Sequence, residues 1–315
     1  GADLMWFDDF SKQFPACEIN ADFKKLTTVK TGGKAKVLFR PTCENDIAAA
    51  IRFARDNGAP IFVIGGGSNC LAADEGYDGI VLKLSPYFSQ IDFCGDVVKA
   101  GAGARTAMLY SFCLANEMGG CEFLANIPGT VGGATVMNAG CFGSCVADVV
   151  TGADAVSKKD GKLTHFKRDG LRFSERSSVF SDGEYVVTAV YFSFSHSDKK
   201  EIIRRYNDIA LAKRASQPLD KPSFGSVFKR TETGSAAILI DALGFKGFSI
   251  NGAKVSEKHA GFFINEKHAT TGDFLTLIDI VGQKVRDRYG IVLSPEVVYV
   301  GNQDDLGRLP YAHFL

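Results

Sequence analysis

Apolar positions along the 315-residue chain alternate between strand-like runs and helical stripes. Lys36–Phe39 reads as a strand stopped at Pro41. Thr42 is placed to cap a helix whose Ile47, Ile51 and Ala54 share one face, with Glu44 and Asp46 suited to its first turn and Gly58 to its end. Ile61–Ile64 is a strand that breaks at Gly65, and Gly79–Leu84 predicts another. Further on, Val97–Ala100, Gly152–Ser157 and Tyr185–Phe194 predict strands, interrupted by a helix over 105–118 that stops at Gly119-Gly120. Beyond residue 200, Ile202, Tyr206, Ile209 and Ala210 form a helical stripe. A stronger one runs through Phe274, Leu277, Ile278, Val281, Val285 and Tyr289, with Thr270 and Asp273 as its cap and Gly290 as its stop. Gly261–Ile264 and Val297–Val300 predict the strands flanking it. Lys199–Glu201 with Arg204-Arg205 reads as a solvated helix face.

Composition narrows the class. Apolar residues make up 45% and charged residues 23%, as in a globular protein rather than a disordered one. The 36 basic and 36 acidic side chains cancel, so no net field draws nucleic acid or an anionic membrane. No run reaches the ~18–20 apolar residues needed to span a bilayer. Residues 1–10 hold Asp3, Asp8 and Asp9 without a basic residue or apolar core, so no signal peptide is expected. The start at Gly1 reads as a processed or cloned end. Cys17, Cys43, Cys70, Cys94, Cys113, Cys121, Cys141 and Cys145 are scattered, with no CxxC pair and no zinc spacing; reduced thiols in a cytoplasm are expected.

Glycine, 34 of 315 residues, exceeds its usual share of about 7%, and the excess clusters between residues 60 and 145, where backbone must approach something closely or turn with positive φ. Gly65-Gly66-Gly67-Ser68-Asn69 follows a strand, and consecutive N–H groups in such a turn make a nest for a diphosphate. In isolation the same motif is a tight turn. Gly101-Ala102-Gly103 lacks the third glycine of a dinucleotide fingerprint and reads as a plain strand-to-helix turn. In the long segment from Gly120 to Gly140, Pro128-Gly129 forces a turn and Gly132-Gly133-Ala134 lets backbone lie flat against a broad surface.

Together these segments resemble the FAD-binding fold of the vanillyl-alcohol-oxidase type. The blocks LTTVKTGGKAKVLFRP (26–41), VIGGGSN (63–69), IPGTVGGATVMNAG (127–140), SFGSVFK (223–229), KVSEKHAGFFIN (254–265) and LSPEVVYVG (293–301) stand in the order of the UDP-N-acetylenolpyruvoylglucosamine reductases, in their shorter, second-type form. The resemblance implies an α+β protein: a two-subdomain FAD-binding fold (1–88 and 89–200) plus a C-terminal α+β substrate domain (201–300), with the tail 301–315 packing back on the second subdomain. It implies non-covalent FAD, NADPH as co-substrate, UDP-N-acetylglucosamine enolpyruvate as substrate, and a monomer.

The family chemistry adds hydride to the β-carbon of an enolpyruvyl ether, stabilises charge on the neighbouring carboxylate and protonates the α-carbon. By resemblance Arg176 and Glu296 stabilise the enolate and Ser226 gives the proton, which requires nearby cations to make a serine competent. Gly65, Gly66, Gly67, Ser68, Asn69, Pro128, Gly129, Thr130, Gly133, Ala134, Asn138 and Gly140 hold the cofactor. Lys213, Arg214 and Arg230 are candidates for the substrate diphosphate, and His259 reads as a structural hydrogen-bonding residue. Glu175 stands where the family has tyrosine, Asn126 where it has glycine, and Arg230-Thr231 where it has Asn-Pro. An oxidase on the same fold and a non-catalytic flavin-binding relative are the competing readings; the first lacks an obvious covalent-flavin site here, and the second does not need Ser226, Arg176 and Glu296 together.

Overall fold

Residues 6–301 are described by a computed structural model, in which the chain gathers into two units. The first takes in the chain up to Ile19, Val37–Gly66 and Gly79–Ala212. The second takes in Asn20–Lys36, Gly67–Asp78 and the chain from Lys213 on. The chain therefore passes from one unit to the other inside the GGGSN motif, between Gly66 and Gly67. The expectation for the tail falls almost wholly on residues outside those described. The larger sheets draw on residues 18–82, 91–192 and 223–265.

In the first unit, one sheet has the order Glu18–Asp22, Lys34–Phe39, Tyr77–Leu82, Ile61–Val63, its first three strands shared in sequence with the second unit. Ile61–Val63 runs parallel to Ile80–Leu82, and the helix Glu44–Asp56 connects it to Lys34–Phe39. The five-stranded sheet is antiparallel, in the order Leu163–Lys167, Val150–Ser157, Tyr185–Phe192, Val97–Gly101, Ile91–Cys94. One core of buried side chains holds the unit, among them Phe10, Ile47, Ile51, Ile80, Val98, Phe180, Val190 and Phe192. Each such side chain contributes roughly 1.5–3 kcal/mol by leaving water.

Several details differ from the sequence reading. The helix Glu44–Asp56 takes Cys43 as its N-cap, without a side-chain bond. Thr42 lies one residue too early and instead donates from its N–H and Oγ1 to the Asp46 carboxylate, at 2.8 and 2.6 Å. The helix expected over 105–118 is shorter, Thr106–Ala115. Glu117 turns left-handed, at φ +57°, and Met118–Gly119 pairs as a strand with Ser195–His196. Arg205 leaves the solvated face: it donates to Glu122 Oε1 from Nε (2.9 Å) and Nη2 (2.7 Å), and the Glu122 side chain is only 6% exposed. Gly119 leaves room beside this pair, since a Cβ there would lie 2.8 Å from Ser197 Cβ and 2.5 Å from Arg205 Nη2.

The second unit carries an antiparallel sheet in the order Ser223–Ser226, Phe262–Asn265, Ala253–Val255, Ser249–Ile250. The helix Thr271–Tyr289 buries the predicted stripe of Phe274, Leu277, Ile278, Val281 and Val285. Its start is the expected capping box: Thr270 Oγ1 accepts from Asp273 N–H (3.0 Å) and the Asp273 carboxylate accepts from Thr270 N–H (2.8 Å). Gly290, at φ +70°, closes it. The Asp74 carboxylate accepts from the N–H groups of Thr271 and Gly272 (2.9 and 2.8 Å), satisfying two more orphan donors. Cys70–Ala72 pairs in parallel with Val298–Val300. No disulfide joins the eight cysteines. Among the described residues no helix is long and apolar enough to cross a membrane.

Candidate active site

The glycine-rich motifs of the first unit meet backbone against backbone. A Cβ on Gly66 would lie 2.7 Å from Gly129 Cα, and one on Gly65 would lie 2.6 Å from Thr130 Oγ1. Only glycine lets these loops touch. Lys83 Nζ donates to the Gly65 carbonyl at 2.7 Å and fixes the turn from the other side. Among the described residues, the N–H groups of Gly65 and Gly66 meet no backbone acceptor. Half-buried amides without an acceptor are what a diphosphate oxygen satisfies. On this observation the residues fit the expected FAD.

The segment after Gly129 is not the flat strip that its glycines imply. Val131–Val136 is a short helix; Thr130 caps it, Oγ1 accepting from Gly133 N–H at 3.3 Å. The helix packs on the end of the Val97–Gly101 strand, with Gly132 N–H donating to Ala102 C=O at 2.9 Å. A Cβ on Gly132 would lie 2.8 Å from that of Ala102. Ala134 is buried, whereas Pro128 and Gly133 are exposed. Gly101 and Gly103 pack against the backbone of Leu84–Ser89, which agrees with a plain turn there.

Arg176 sits in the tight turn Ser174–Ser177, whose end residues exchange N–H···O=C bonds of 3.0 and 3.2 Å. Its backbone is left-handed, at φ +53°. Its Nη2 donates to the Gly140 carbonyl at 3.4 Å. Asn138, also left-handed and 7% exposed, donates from Nδ2 to Ser174 C=O (2.8 Å) and accepts at Oδ1 from Ala147 N–H (2.9 Å). Glu175, beside Arg176, is exposed; Asn126 donates from its side-chain amide to Glu122 C=O at 3.2 Å, within its own short helix.

In the second unit, Gly67, Ser68 and Asn69 come together with Ser226 and Glu296. Gly67 is at φ +65° because any Cβ would overlap the Leu26 carbonyl. Its own carbonyl accepts from Thr28 N–H at 3.1 Å, and Thr28 Oγ1 donates to Ser223 C=O at 2.6 Å. Gly225 lies in the register break between Ser223 and Ser226 at φ +82°, a backbone conformation that favours glycine. Ser226 is exposed, and its hydroxyl bonds no described residue. Glu296 is half-buried. Its N–H donates to Val227 C=O at 2.7 Å, and its carbonyl accepts from Asn69 Nδ2 at 3.0 Å.

The cationic candidates are scattered by comparison. Lys213 is buried near the end of the helix Lys199–Ser216, while Arg214 and Arg230 are exposed. Lys258 Nζ donates to the Arg214 carbonyl. His259 is half-buried; its Nδ1 accepts from Gly261 N–H at 3.1 Å, so the neutral ring carries its proton on Nε2. Burial, then the charge of Lys246, push its pKa down. Sequence reasoning gave no role to Thr28 or Lys83. Thr28 lies in the block 26–41 and Lys83 in the predicted strand Gly79–Leu84, yet nothing in one sequence reveals which distant carbonyl a side chain will reach.

Comparison with known proteins matches two stretches of the chain. Residues 35–167 match the model of the FAD binding domain, and residues 217–300 match that of the UDP-N-acetylenolpyruvoylglucosamine reductase C-terminal domain. The UDP-N-acetylenolpyruvoylglucosamine reductase of Caldanaerobacter subterraneus subsp. tengcongensis is 37% identical over 285 residues, 90% of this chain and 94% of that protein. That of Syntrophomonas wolfei is 37% identical over 287 residues, 91% and 95% of the two chains. The crystal structure of UDP-N-acetylenolpyruvylglucosamine reductase from Thermus caldophilus superposes with a TM-score of 0.77 at 30% identity, covering 90% of this chain and 97% of that one.

Proposed function

The chain belongs to the family of UDP-N-acetylenolpyruvoylglucosamine reductases, and on that premise we propose how its residues share the reduction of UDP-N-acetylglucosamine enolpyruvate to UDP-N-acetylmuramate for peptidoglycan synthesis. The enzyme is a flavin oxidoreductase. When bound, FAD supplies the hydride for the β-carbon of the enolpyruvyl ether and is recharged by NADPH. One hydride and one proton saturate the double bond.

Gly65, Gly66, Gly67, Ser68, Asn69, Pro128, Gly129, Thr130, Gly133, Ala134 and Gly140 hold a non-covalent FAD, while the Asn138 side chain in the same block is turned to the protein backbone. Arg176 takes the substrate carboxylate through two parallel N–H···O bonds and stabilises the charge that grows there. Glu296 acts on the same developing enolate. Ser226 gives the proton to the α-carbon, and its exposed hydroxyl, without a partner among the described residues, has no internal bond to break first. Lys213, Arg214 and Arg230 serve the diphosphate of the UDP-sugar. Residues 1–88 and 89–200 form the cofactor subdomains and 201–300 the substrate domain. The enzyme works as a cytoplasmic monomer, where NADPH and nucleotide sugars meet.

The observation that supports this most is the bond between Glu296 N–H and Val227 C=O. It ties the residue next to the proton donor to the acid, in a chain where they are about seventy positions apart. The test is turnover: NADPH oxidation that depends on UDP-N-acetylglucosamine enolpyruvate, with UDP-N-acetylmuramate as the product. Rapid oxidation by air alone, with no response to that substrate, rejects the reading.

A further inference from the structure

We infer that Asn138 is the positioning residue for Arg176. This rests on the reading of Arg176 as the guanidinium that receives the substrate carboxylate. Asn138 lies in the glycine-rich block whose resemblance assigns it to the cofactor. Its side chain is committed elsewhere. Nδ2 donates to the carbonyl of Ser174, the first residue of the tight turn that carries Arg176, and Oδ1 accepts from Ala147 N–H. The amide is therefore a strut between the loop at Ala147 and the base of the Arg176 turn. Two residues further on, the Gly140 carbonyl accepts from the guanidinium itself. The short stretch Asn138–Gly140 thus holds the turn by its backbone and the arginine by its head.

The turn needs such a hold. Arg176 adopts φ +53°, a left-handed backbone that a residue with a Cβ enters only against steric strain. Such a conformation persists where surrounding bonds over-determine it. Asn138 itself stands at φ +41°, a region that asparagine tolerates better than most side chains. It is 7% exposed, so both of its bonds are shielded from water. Loss of the strut frees the turn to relax and moves the guanidinium away from the position in which two of its N–H groups meet a carboxylate. A shift of about 1 Å in a positioning group costs on the order of 10²-fold in rate.

The experiment compares Asn138→Asp, Asn138→Gly and Arg176→Ala with the holoenzyme by anaerobic rapid mixing. Flavin absorbance follows reduction by NADPH and reoxidation by UDP-N-acetylglucosamine enolpyruvate separately, and the FAD dissociation constant is measured on the same preparations. Asn138→Gly accepts the left-handed backbone but lacks the amide. Asn138→Asp keeps the acceptor for Ala147 N–H and loses the donor to Ser174. The expected result is FAD retained within threefold, reduction by NADPH within threefold, and reoxidation slowed 10- to 100-fold in both. Adding either change to Arg176→Ala should then slow reoxidation no further. Weakened FAD binding, or equal loss in the two half-reactions, would mean that Asn138 serves the flavin and overturns the inference. Normal reoxidation in the Asn138 variants, while Arg176→Ala is slow, overturns this inference alone. Normal reoxidation in Arg176→Ala overturns the underlying reading with it.

Discussion

The N–H of Glu296 donates to the carbonyl of Val227 at 2.7 Å, so Glu296 and Ser226 ride on two stretches of backbone bonded to each other. Lys229 N–H donates to Ser294 C=O at 2.9 Å and extends the pairing. The separation of the two groups is thus fixed by a ladder rather than by flexible side chains. Asn69 Nδ2 holds the Glu296 carbonyl from the other direction.

Ser226→Ala separates the half-reactions. Reduction of the flavin by NADPH needs no proton on the α-carbon and should be unchanged. Reoxidation by substrate should slow by roughly 10²–10⁴-fold, the usual contribution of a placed general acid. Because Ser226 is exposed, the melting temperature should hardly move. Anaerobic single-turnover mixing checks the first two outcomes and a thermal scan the third.

Gly66→Ala tests the backbone contact at the cofactor motif. The added Cβ has no room 2.7 Å from Gly129 Cα, and both partners are main chain. Overpacking of this kind costs about 1–3 kcal/mol and should weaken FAD binding with it. Gly58→Ala is the control: Gly58 is also left-handed, at φ +64°, but faces open space. It should lower stability by about 1 kcal/mol and leave FAD affinity alone. Flavin titration and chemical unfolding of both variants distinguish the cases.

Glu122→Gln should be among the most destabilising single changes in the first unit. It takes the charge from a buried partner of Arg205, and breaking such a pair costs roughly 3–5 kcal/mol. Arg205 is 36% exposed and can reach water, so the lower end of that range is expected. Gly120 N–H, which donates to Glu122 Oε2 at 2.8 Å, keeps an acceptor only if the new amide turns its oxygen toward it. Denaturant midpoints for Glu122→Gln, Arg205→Gln and the double variant give the coupling, and the double variant should be less unstable than the sum.

His259 sets a pH dependence. Its pKa in the folded protein lies below the ordinary 6.5, chiefly through burial and next through Lys246, with Asp241 opposing. Between the folded value and 6.5 the unfolded chain binds more protons than the folded one. Stability therefore rises with pH across that window, and it falls as pH drops below about 6.5 until the folded ring also takes a proton. His259→Gln should flatten this part of the curve. Asp46 and Asp273, whose pKa values are lowered, act only at more acidic pH. Thermal scans of both proteins between pH 5 and 8 test this.

Local signals carried the sequence reading wherever the deciding atoms are close in the chain. The helix Thr271–Tyr289 is the clearest case, since stripe, capping box and closing glycine all lie within it. The order of the motif blocks likewise identified the α+β flavoprotein family. The failures share a cause. Gly132 suggests a flat loop, yet it allows a helix to sit on Ala102, thirty residues away. Arg205 looks like one more solvated charge, and only the fold brings buried Glu122 to it. The bond from Asn138 to Ser174 is equally invisible in the sequence, because the two are 36 positions apart. Periodicity reports which face of an element is buried, but not what that face meets.

As a flavin oxidoreductase of this family, the chain binds FAD and turns it over between NADPH and an enolpyruvyl UDP-sugar. The most direct measurement is the visible spectrum of the purified protein, followed anaerobically. The protein should be yellow, release FAD on heating, bleach with NADPH and regain its colour on addition of UDP-N-acetylglucosamine enolpyruvate. A folded preparation that is colourless and takes up no added FAD would contradict it, as would a bleached protein whose colour that substrate fails to restore.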